Sequence, residues 1–106
     1  MGYRLKVTEH AEELLSDLVY YLIYHLKNEH AAAHLFDEIE KIYIRLEENP
    51  YQFPKSRDTY LNRLEYREAV LTDMDYVIVY RIEEDHIYVL GIFHQLENYR
   101  RKIAGN

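Results

Sequence analysis

Three side chains in the second half of the chain have the types that cleavage of an RNA phosphodiester requires. Attack by a 2′-hydroxyl needs a general base, an acid for the leaving oxygen and a cation for the developing charge. His94 can shuttle a proton near neutral pH, Arg67 can clamp a phosphate through two hydrogen bonds, and Tyr99 can stack on a base. These residues are the candidate catalytic set if the chain is a nuclease.

Each of these residues also has a structural interpretation that involves no catalysis. His94 can bond the backbone at a strand end, and Arg67 can form an ion pair with a neighbouring acid, with Glu65 and Glu68 close by in the sequence. Tyr99 can pack the end of the chain onto a sheet. Arg63 and Arg81 join Arg67 as candidate phosphate or nucleic-acid contacts, although Arg81 is favoured as a plain exposed strand charge.

Two further groups lie in the predicted helices. Tyr20, Tyr21 and Tyr24 form either the margin of a helix pair or an aromatic surface for a protein partner or a second copy, because tyrosine is enriched at binding hot spots. His30, His34 and Glu38 are spaced by one helical turn, as metal ligands on one helix face often are. This spacing is common on helix surfaces and no further ligand is evident, so the sequence predicts no metal site and no cofactor.

The elements that must position these residues follow from hydrophobic periodicity. Tyr3, Leu5 and Val7 alternate with basic residues as in a half-buried strand. Thr8 stands at the N-cap of a first helix and Asn28 at the N-cap of a second, and both helices have apolar residues at three- and four-residue steps. The very short link between them predicts an antiparallel helical hairpin, which ends at Asn49-Pro50.

Residues 50–63 are predicted to form a surface connection, and three strands are predicted after it. They span Leu64 to Leu71, Tyr76 to Ile82 and His86 to Phe93, with links short enough for hairpins. Tyr76 to Tyr80 is apolar on both faces and should lie centrally. The predicted fold over residues 1–106 is a single α+β domain: an N-terminal strand, an antiparallel helical hairpin, and a three-stranded antiparallel meander packed on the helices. The other face of the sheet is expected to stay open, and the last dozen residues to form a short helix or tail.

Composition limits the classes of function. The chain has 106 residues, twelve tyrosines, no cysteine and a formal net charge of −6. The absence of cysteine excludes disulfides, thiolate metal sites and cysteine nucleophiles. No stretch is long and apolar enough for a membrane span or a secretory signal, so a cytoplasmic location is expected. The acidity argues against a generic nucleic-acid binder, but it is uneven: residues 1–48 contain 5 Lys or Arg and 10 Asp or Glu, and residues 49–106 contain 8 and 9.

The order and spacing of several segments resemble the RelE/ParE toxins over nearly the whole chain. The segments are Ala11, Asp17-Leu18, Ala31-Ala32, Leu46-Glu47-Glu48-Asn49-Pro50, Phe53-Pro54, Tyr66-Arg67, Tyr76-Val77-Ile78-Val79-Tyr80-Arg81, the strand from Ile87 to Ile92, and His94 with Tyr99. The resemblance implies a growth-inhibiting toxin of a type II toxin–antitoxin system, active in stress responses and neutralised by a cognate antitoxin that wraps across helices and sheet. Antitoxin binding is then the expected role of Tyr20, Tyr21 and Tyr24.

The resemblance leaves the target open between two kinds of toxin. Some relatives cleave mRNA on the ribosome, and others, with a helical hairpin as long as this one, poison DNA gyrase without known hydrolytic chemistry. RNA-cleaving relatives concentrate Lys and Arg on the strands beside the site, whereas Val77 and Ile78 are apolar here. We therefore expect a gyrase-binding toxin, with an endoribonuclease or a non-toxic relative that keeps only the antitoxin surface as alternatives. Either a homodimer or a toxin–antitoxin hetero-oligomer is compatible with the resemblance.

Overall fold

The predicted order of strand, helix pair and meander is present in the protein. A computed structural model describes residues 2–103. One turn of π-helix, Tyr21–His25, extends the first helix, and one 3-10 turn, Pro50–Gln52, follows the second. The helices and strands are, in chain order, β1 Arg4–Val7, α1 Glu9–Tyr20, α2 Glu29–Glu48, α3 Thr59–Arg63, β2 Arg67–Val70, β3 Tyr76–Glu83, β4 His86–His94 and α4 Tyr99–Ile103.

Both predicted N-caps are confirmed. The Thr8 side chain accepts a hydrogen bond from the Ala11 amide at 3.1 Å, and the Asn28 side chain accepts one from the Ala31 amide at 3.0 Å. Between the helices, Lys27 adopts a left-handed backbone with φ 53°, and the Asn28 amide donates to the Leu22 carbonyl at 2.9 Å. This hydrogen bond from residue 28 back to residue 22 ends the first helix. Asn28 also starts the second helix, so one short turn reverses the chain.

The sheet has four strands in the order β1-β4-β3-β2. β2, β3 and β4 form the predicted antiparallel meander, and β1 adds to it in parallel beside β4, with Val7 opposite Val89. The main core lies between the helices and one face of this sheet. It contains Leu35 and Leu46 of α2 and Ile78 and Tyr80 of β3, all almost fully buried.

The segment between the second helix and the meander differs from the prediction. The Asp58 side chain accepts from the Leu61 amide at 3.0 Å and caps α3, a helix that lies within the predicted surface connection. Its last turn takes in Leu64, and Glu65 follows with a left-handed φ of 65°. Because these two residues close a helix, β2 begins at Arg67 and not at Leu64, so the predicted strand from Leu64 to Leu71 was too long.

The prediction of one open sheet face is wrong where β3 and β4 lie side by side. On the face opposite α2, which we call the outer face, Val77 and Val79 of β3 and Phe93 of β4 are buried in a second apolar cluster, against which Leu14 of α1 also packs. α3 supplies Leu61 to this cluster and α4 supplies Tyr99. The last described helix therefore covers part of the face that was expected to stay open.

Candidate functional site

Tyr99 lies in the second core and its hydroxyl is bonded to a buried carboxylate. Its ring stacks on Phe93, with centroids 5.2 Å apart and the planes at 19°, and its hydroxyl donates to Glu68 Oε2 at 2.5 Å. Tyr99 is 7% exposed and Glu68 is 3% exposed. With one face of its ring stacked on Phe93 and little of its surface exposed, this phenol offers little area on which a nucleobase could stack.

Glu68 joins three segments of the chain at one point. Besides the Tyr99 hydroxyl, Oε2 accepts a hydrogen bond from the Ser56 hydroxyl, and Oε1 accepts from Arg57 Nε at 3.3 Å. Ser56 Oγ also accepts from the Asp58 amide at 3.1 Å at the start of α3. Glu68 therefore links β2, the segment before α3, and α4. Sequence reasoning did not single out Ser56, Arg57 or Glu68 as a cluster.

The Tyr99 phenol gives a testable dependence of stability on pH. Burial, followed by its bond to Glu68, raises the pKa of Tyr99 from 10.0 to about 12. Above the ordinary pKa, the unfolded chain loses this proton while the folded chain retains it, which favours unfolding. The stability that depends on the protonated phenol is therefore complete below about pH 10 and is lost as the pH rises through about 12.

Urea unfolding at a series of alkaline pH values should show this decline. Tyr99→Phe should decline less steeply than the wild type, since it lacks one titrating proton. Burial also raises the pKa of Tyr43 to about 12. Because Tyr43 is present in both proteins, its contribution to the loss of stability cancels when they are compared. Parallel curves for the two proteins would show that Tyr99 is not protected from ionisation.

Arg67 lies on the other side of the sheet. It pairs with Tyr80 in the ladder, its guanidinium donates to the Phe53 carbonyl at 2.5 Å, and it lies over the Tyr51 ring at 5.1 Å. These contacts tie β2 to the chain that leaves α2. The structure thus does not bring Arg67 together with Tyr99, because the two side chains lie on opposite faces.

His94 is half-buried at the end of β4. Its Nδ1 accepts from the Leu96 amide at 3.1 Å, its own amide donates to Glu97 Oε1 at 2.8 Å, and its ring meets the edge of Tyr76 at 5.7 Å. This is the bonding expected of a histidine that organises a strand end. It leaves only Nε2 for any other partner.

The other two candidate phosphate contacts, Arg81 and Arg63, lie on different elements. Arg81 lies on the outer face, where it pairs with Glu83 and covers the Tyr88 ring at 4.8 Å. Arg63 is exposed at the end of α3. Arg67 and Arg81 lie on opposite faces of the sheet and Arg63 lies on α3, so the three arginines do not share one sheet face.

Among the helical residues with metal-ligand spacing, Glu38 forms an ion pair. Glu38 is 6% exposed and accepts from Lys41 Nζ at 3.1 Å. Within residues 2–103, no three or more His, Asp or Glu side chains come together as a metal site. In the same part of the chain, no helix is long and apolar enough to cross a bilayer.

The three tyrosines at the end of the first helix are on the surface. Tyr20, Tyr21 and Tyr24 are 60%, 47% and 58% exposed. Tyr20 and Tyr24 pack against each other with centroids 4.6 Å apart, and Tyr21 stacks on His25 at 5.5 Å. They lie where α1 passes into the π-helical turn, and the Leu26 amide closes that turn on the Tyr21 carbonyl at 3.1 Å. π-helical turns are often found at functional sites.

A groove adjoins this aromatic surface. It has a volume of about 300 Å³ and runs between α1 and the carboxyl end of β4. Tyr21 forms one wall of the groove, and Tyr76 also lines it. Burial raises the pKa of Tyr76, and the nearby Tyr21 contributes to the same shift. Sequence reasoning missed this groove. The four-residue step from Asp17 to Tyr21 was its only visible sign.

Comparison with known proteins identifies a family for this chain. Residues 5–99 match the family described as the ParE toxin of the type II toxin–antitoxin system parDE. A solved structure described as a chromosomal ParDE toxin–antitoxin system from P. aeruginosa is similar in fold, with a TM-score of 0.70 and 18% sequence identity; the match covers 87% of this chain and 95% of that one. No curated protein matches the chain.

Proposed function

Because this chain belongs to the ParE family of type II toxins, we propose that it arrests bacterial growth by binding DNA gyrase, and that it does so without cleaving RNA. The family membership makes a cognate antitoxin its expected partner. We further propose that the antitoxin covers Tyr20, Tyr21 and Tyr24. We also propose a cytoplasmic location, where the proposed target and antitoxin would act.

One observation carries the choice of a binding mechanism. The face where Tyr99 and Phe93 lie is filled by side chains, and the Tyr99 hydroxyl is bonded to Glu68 in the interior. General acid–base catalysis requires a side chain within hydrogen-bonding reach of the substrate. Tyr99 is closed off, and Arg67 faces the helices. Of the candidate catalytic set, His94 borders the groove between α1 and β4, and its partner there would have to come from outside the set.

The aromatic surface supports the antitoxin site by its exposure and chemistry. Monomeric proteins expose scattered apolar side chains, but a cluster of large ones marks an interaction surface. Three adjacent tyrosines, each about half exposed, combine large contact areas with hydroxyl groups that remain hydrogen-bonded to water or a partner.

The target can be tested with purified gyrase and with expression in cells. Gyrase, supercoiled plasmid and ATP are incubated with the toxin, and the DNA is analysed after denaturation of the protein. We expect linear DNA to accumulate, as it does when a topoisomerase is trapped on cut DNA. His94→Ala should trap gyrase and arrest growth as strongly as the wild type, because the proposal gives His94 no catalytic role.

The alternatives correspond to different outcomes of the same experiments. Cleaved transcripts in arrested cells, together with their loss in His94→Ala, would replace the proposal with an endoribonuclease. Normal growth on expression of the folded wild-type chain without its antitoxin would leave a non-toxic relative that retains only the antitoxin surface.

A further inference from the structure

The groove beside Tyr21 has an apolar floor. Leu14 and Leu18 of α1 form one side and Ile92 and Phe93 of β4 form the other. Ile92 and Phe93 are buried and the two leucines are half-buried, so these side chains form an apolar floor that is only partly exposed to solvent. A groove of about 300 Å³ with this lining suits aliphatic side chains of a partner.

The α1 rim of the groove has uncompensated negative charge. α1 contains four carboxylates and no Lys or Arg, and none of the four forms an ion pair within the part of the chain that the structure describes: Glu9, Glu12, Glu13 and Asp17. Glu13, Asp17 and Tyr21 follow one another at four-residue steps and therefore lie along one stripe of the helix surface. Asp17 and Tyr21 line the groove directly.

The opposite rim is nearly neutral. Glu97 lines it, but Lys102 Nζ lies 2.6 Å from the Glu97 carboxylate and compensates its charge. Among the charged residues that line the groove, Asp17 is therefore the one without an ion-pair partner in the described part of the chain, and Glu13 lies one helical turn before it on the same stripe. A partner with carboxylates would be repelled here, and a partner with Lys or Arg would be attracted.

We propose that this groove binds a basic amphipathic segment of the antitoxin, with apolar side chains on the floor and Lys or Arg side chains against Asp17 and Glu13. The inference rests on the proposed function, and it specifies the chemistry of the partner. Tyr21 belongs to both the groove and the aromatic surface, so one continuous segment can cover both. The tyrosine rings also attract cations through their faces.

Two synthetic peptides of about 14 residues serve as probes, because a helical segment of this length covers one groove. Both have leucine at helical spacing, and their remaining positions are either lysine or glutamate. Fluorescence anisotropy with the full chain should show binding of the lysine peptide at least about tenfold tighter than that of the glutamate peptide, with the preference shrinking at high salt.

Matched charge reversals distinguish the groove from the overall charge. The Glu13→Lys/Asp17→Lys double variant should abolish the preference for the lysine peptide. Glu40→Lys/Glu47→Lys makes the same change in net charge on exposed positions of α2, and it should leave the preference within about twofold of the wild type. Because all four positions are exposed, both variants should fold, and circular dichroism checks this. Asp17→Asn is the milder variant to use in place of the double reversal where that protein does not fold.

Equal binding of the two peptides, or an equal loss of preference in both double variants, would overturn the inference. Self-association of the wild type that only the Glu13/Asp17 reversal abolishes would also overturn it, since the occupant would then be a second copy. These outcomes are separate from the proposed function: peptide selectivity can fail while growth arrest and gyrase trapping persist. Conversely, lysine-peptide binding at the groove can hold in a chain that does not trap gyrase.

Discussion

Glu68→Ala is expected to lower the free energy of unfolding by about 3 to 5 kcal/mol, because it removes the shared acceptor of a buried network. The Tyr99 hydroxyl and the Ser56 hydroxyl both donate to Glu68, and Arg57 lies against its other oxygen. Without the carboxylate, two buried hydroxyl groups lose their partner and the Arg57 ion pair is lost. Urea unfolding followed by circular dichroism measures the change.

Two further variants separate the network from the loss of any glutamate. Glu65→Ala removes a carboxylate that is 77% exposed, with Lys55 3.8 Å away, and should change stability by less than about 1 kcal/mol. Glu68→Gln keeps an oxygen that can accept from Tyr99 but loses the charge, so it should fall between the other two. A Glu68→Ala protein within about 1 kcal/mol of the wild type would show that water replaces the carboxylate without penalty.

Residues that are close in the sequence made most of the fold predictable. The three- and four-residue spacing of leucines, with Thr8 and Asn28 as caps, gave both long helices and the turn between them. The alternation of apolar and basic residues from Tyr3 to Val7 predicted β1, and two short polar links predicted the hairpins of the meander. These signals are local, so they can be recognised without knowledge of the tertiary structure.

The covered outer face could have been predicted from a pattern that was interpreted too narrowly. The apolar run from Tyr76 to Tyr80 correctly places β3 in the centre of the sheet. The same run implies that Val77 and Val79 need a cover as much as Ile78 and Tyr80 do. α3 and α4 provide it, but each has only five residues, which is too short for a hydrophobic period to be recognised.

The candidate site was less predictable because its contacts are distant in sequence. Ser56 lies 12 residues before Glu68, and Tyr99 lies 31 residues after it, so no spacing rule connects the three. The catalytic set failed to assemble for a related reason: strand residues alternate between faces. Arg67 therefore points toward the helices, and Glu68, one residue later, points toward Tyr99.

A β-bulge in β4 produces the second expected effect. Val79 pairs with Gly91 but Tyr80 pairs with Val89, so Leu90 is an extra residue in the strand. The bulge lets Val89 face the main core while Gly91 and Phe93 face the outer cluster. At Gly91, a Cβ atom would lie 2.6 Å from Phe93 Cε2 and 2.9 Å from Leu14 Cδ1. Glycine at this position makes room for the Phe93 ring.

Gly91→Ala is therefore expected to lower the free energy of unfolding by about 1 to 3 kcal/mol, although alanine usually suits a strand better than glycine does. The Phe93 ring is 1% exposed and stacks on Tyr99. It therefore cannot move aside without disturbing the hydrogen bond that the Tyr99 hydroxyl donates to Glu68. Gly2→Ala is the matched control, because no atom lies within 4 Å of a Cβ there, and it should be neutral.

A double-mutant cycle tests whether the Phe93 ring is the cause of the Gly91→Ala effect. Phe93→Leu alone should destabilise, since it removes the stacking on Tyr99, but the smaller side chain leaves space for a methyl group at residue 91. The double variant should then be more stable than the sum of the two single effects predicts, with a coupling of about 1 kcal/mol. Strict additivity would mean that the methyl group is accommodated by Leu14 or by the backbone. In that case the link from the bulge through Phe93 and Tyr99 to Glu68 would not be mechanical, and the outer cluster would tolerate changes at one end without transmitting them to the other.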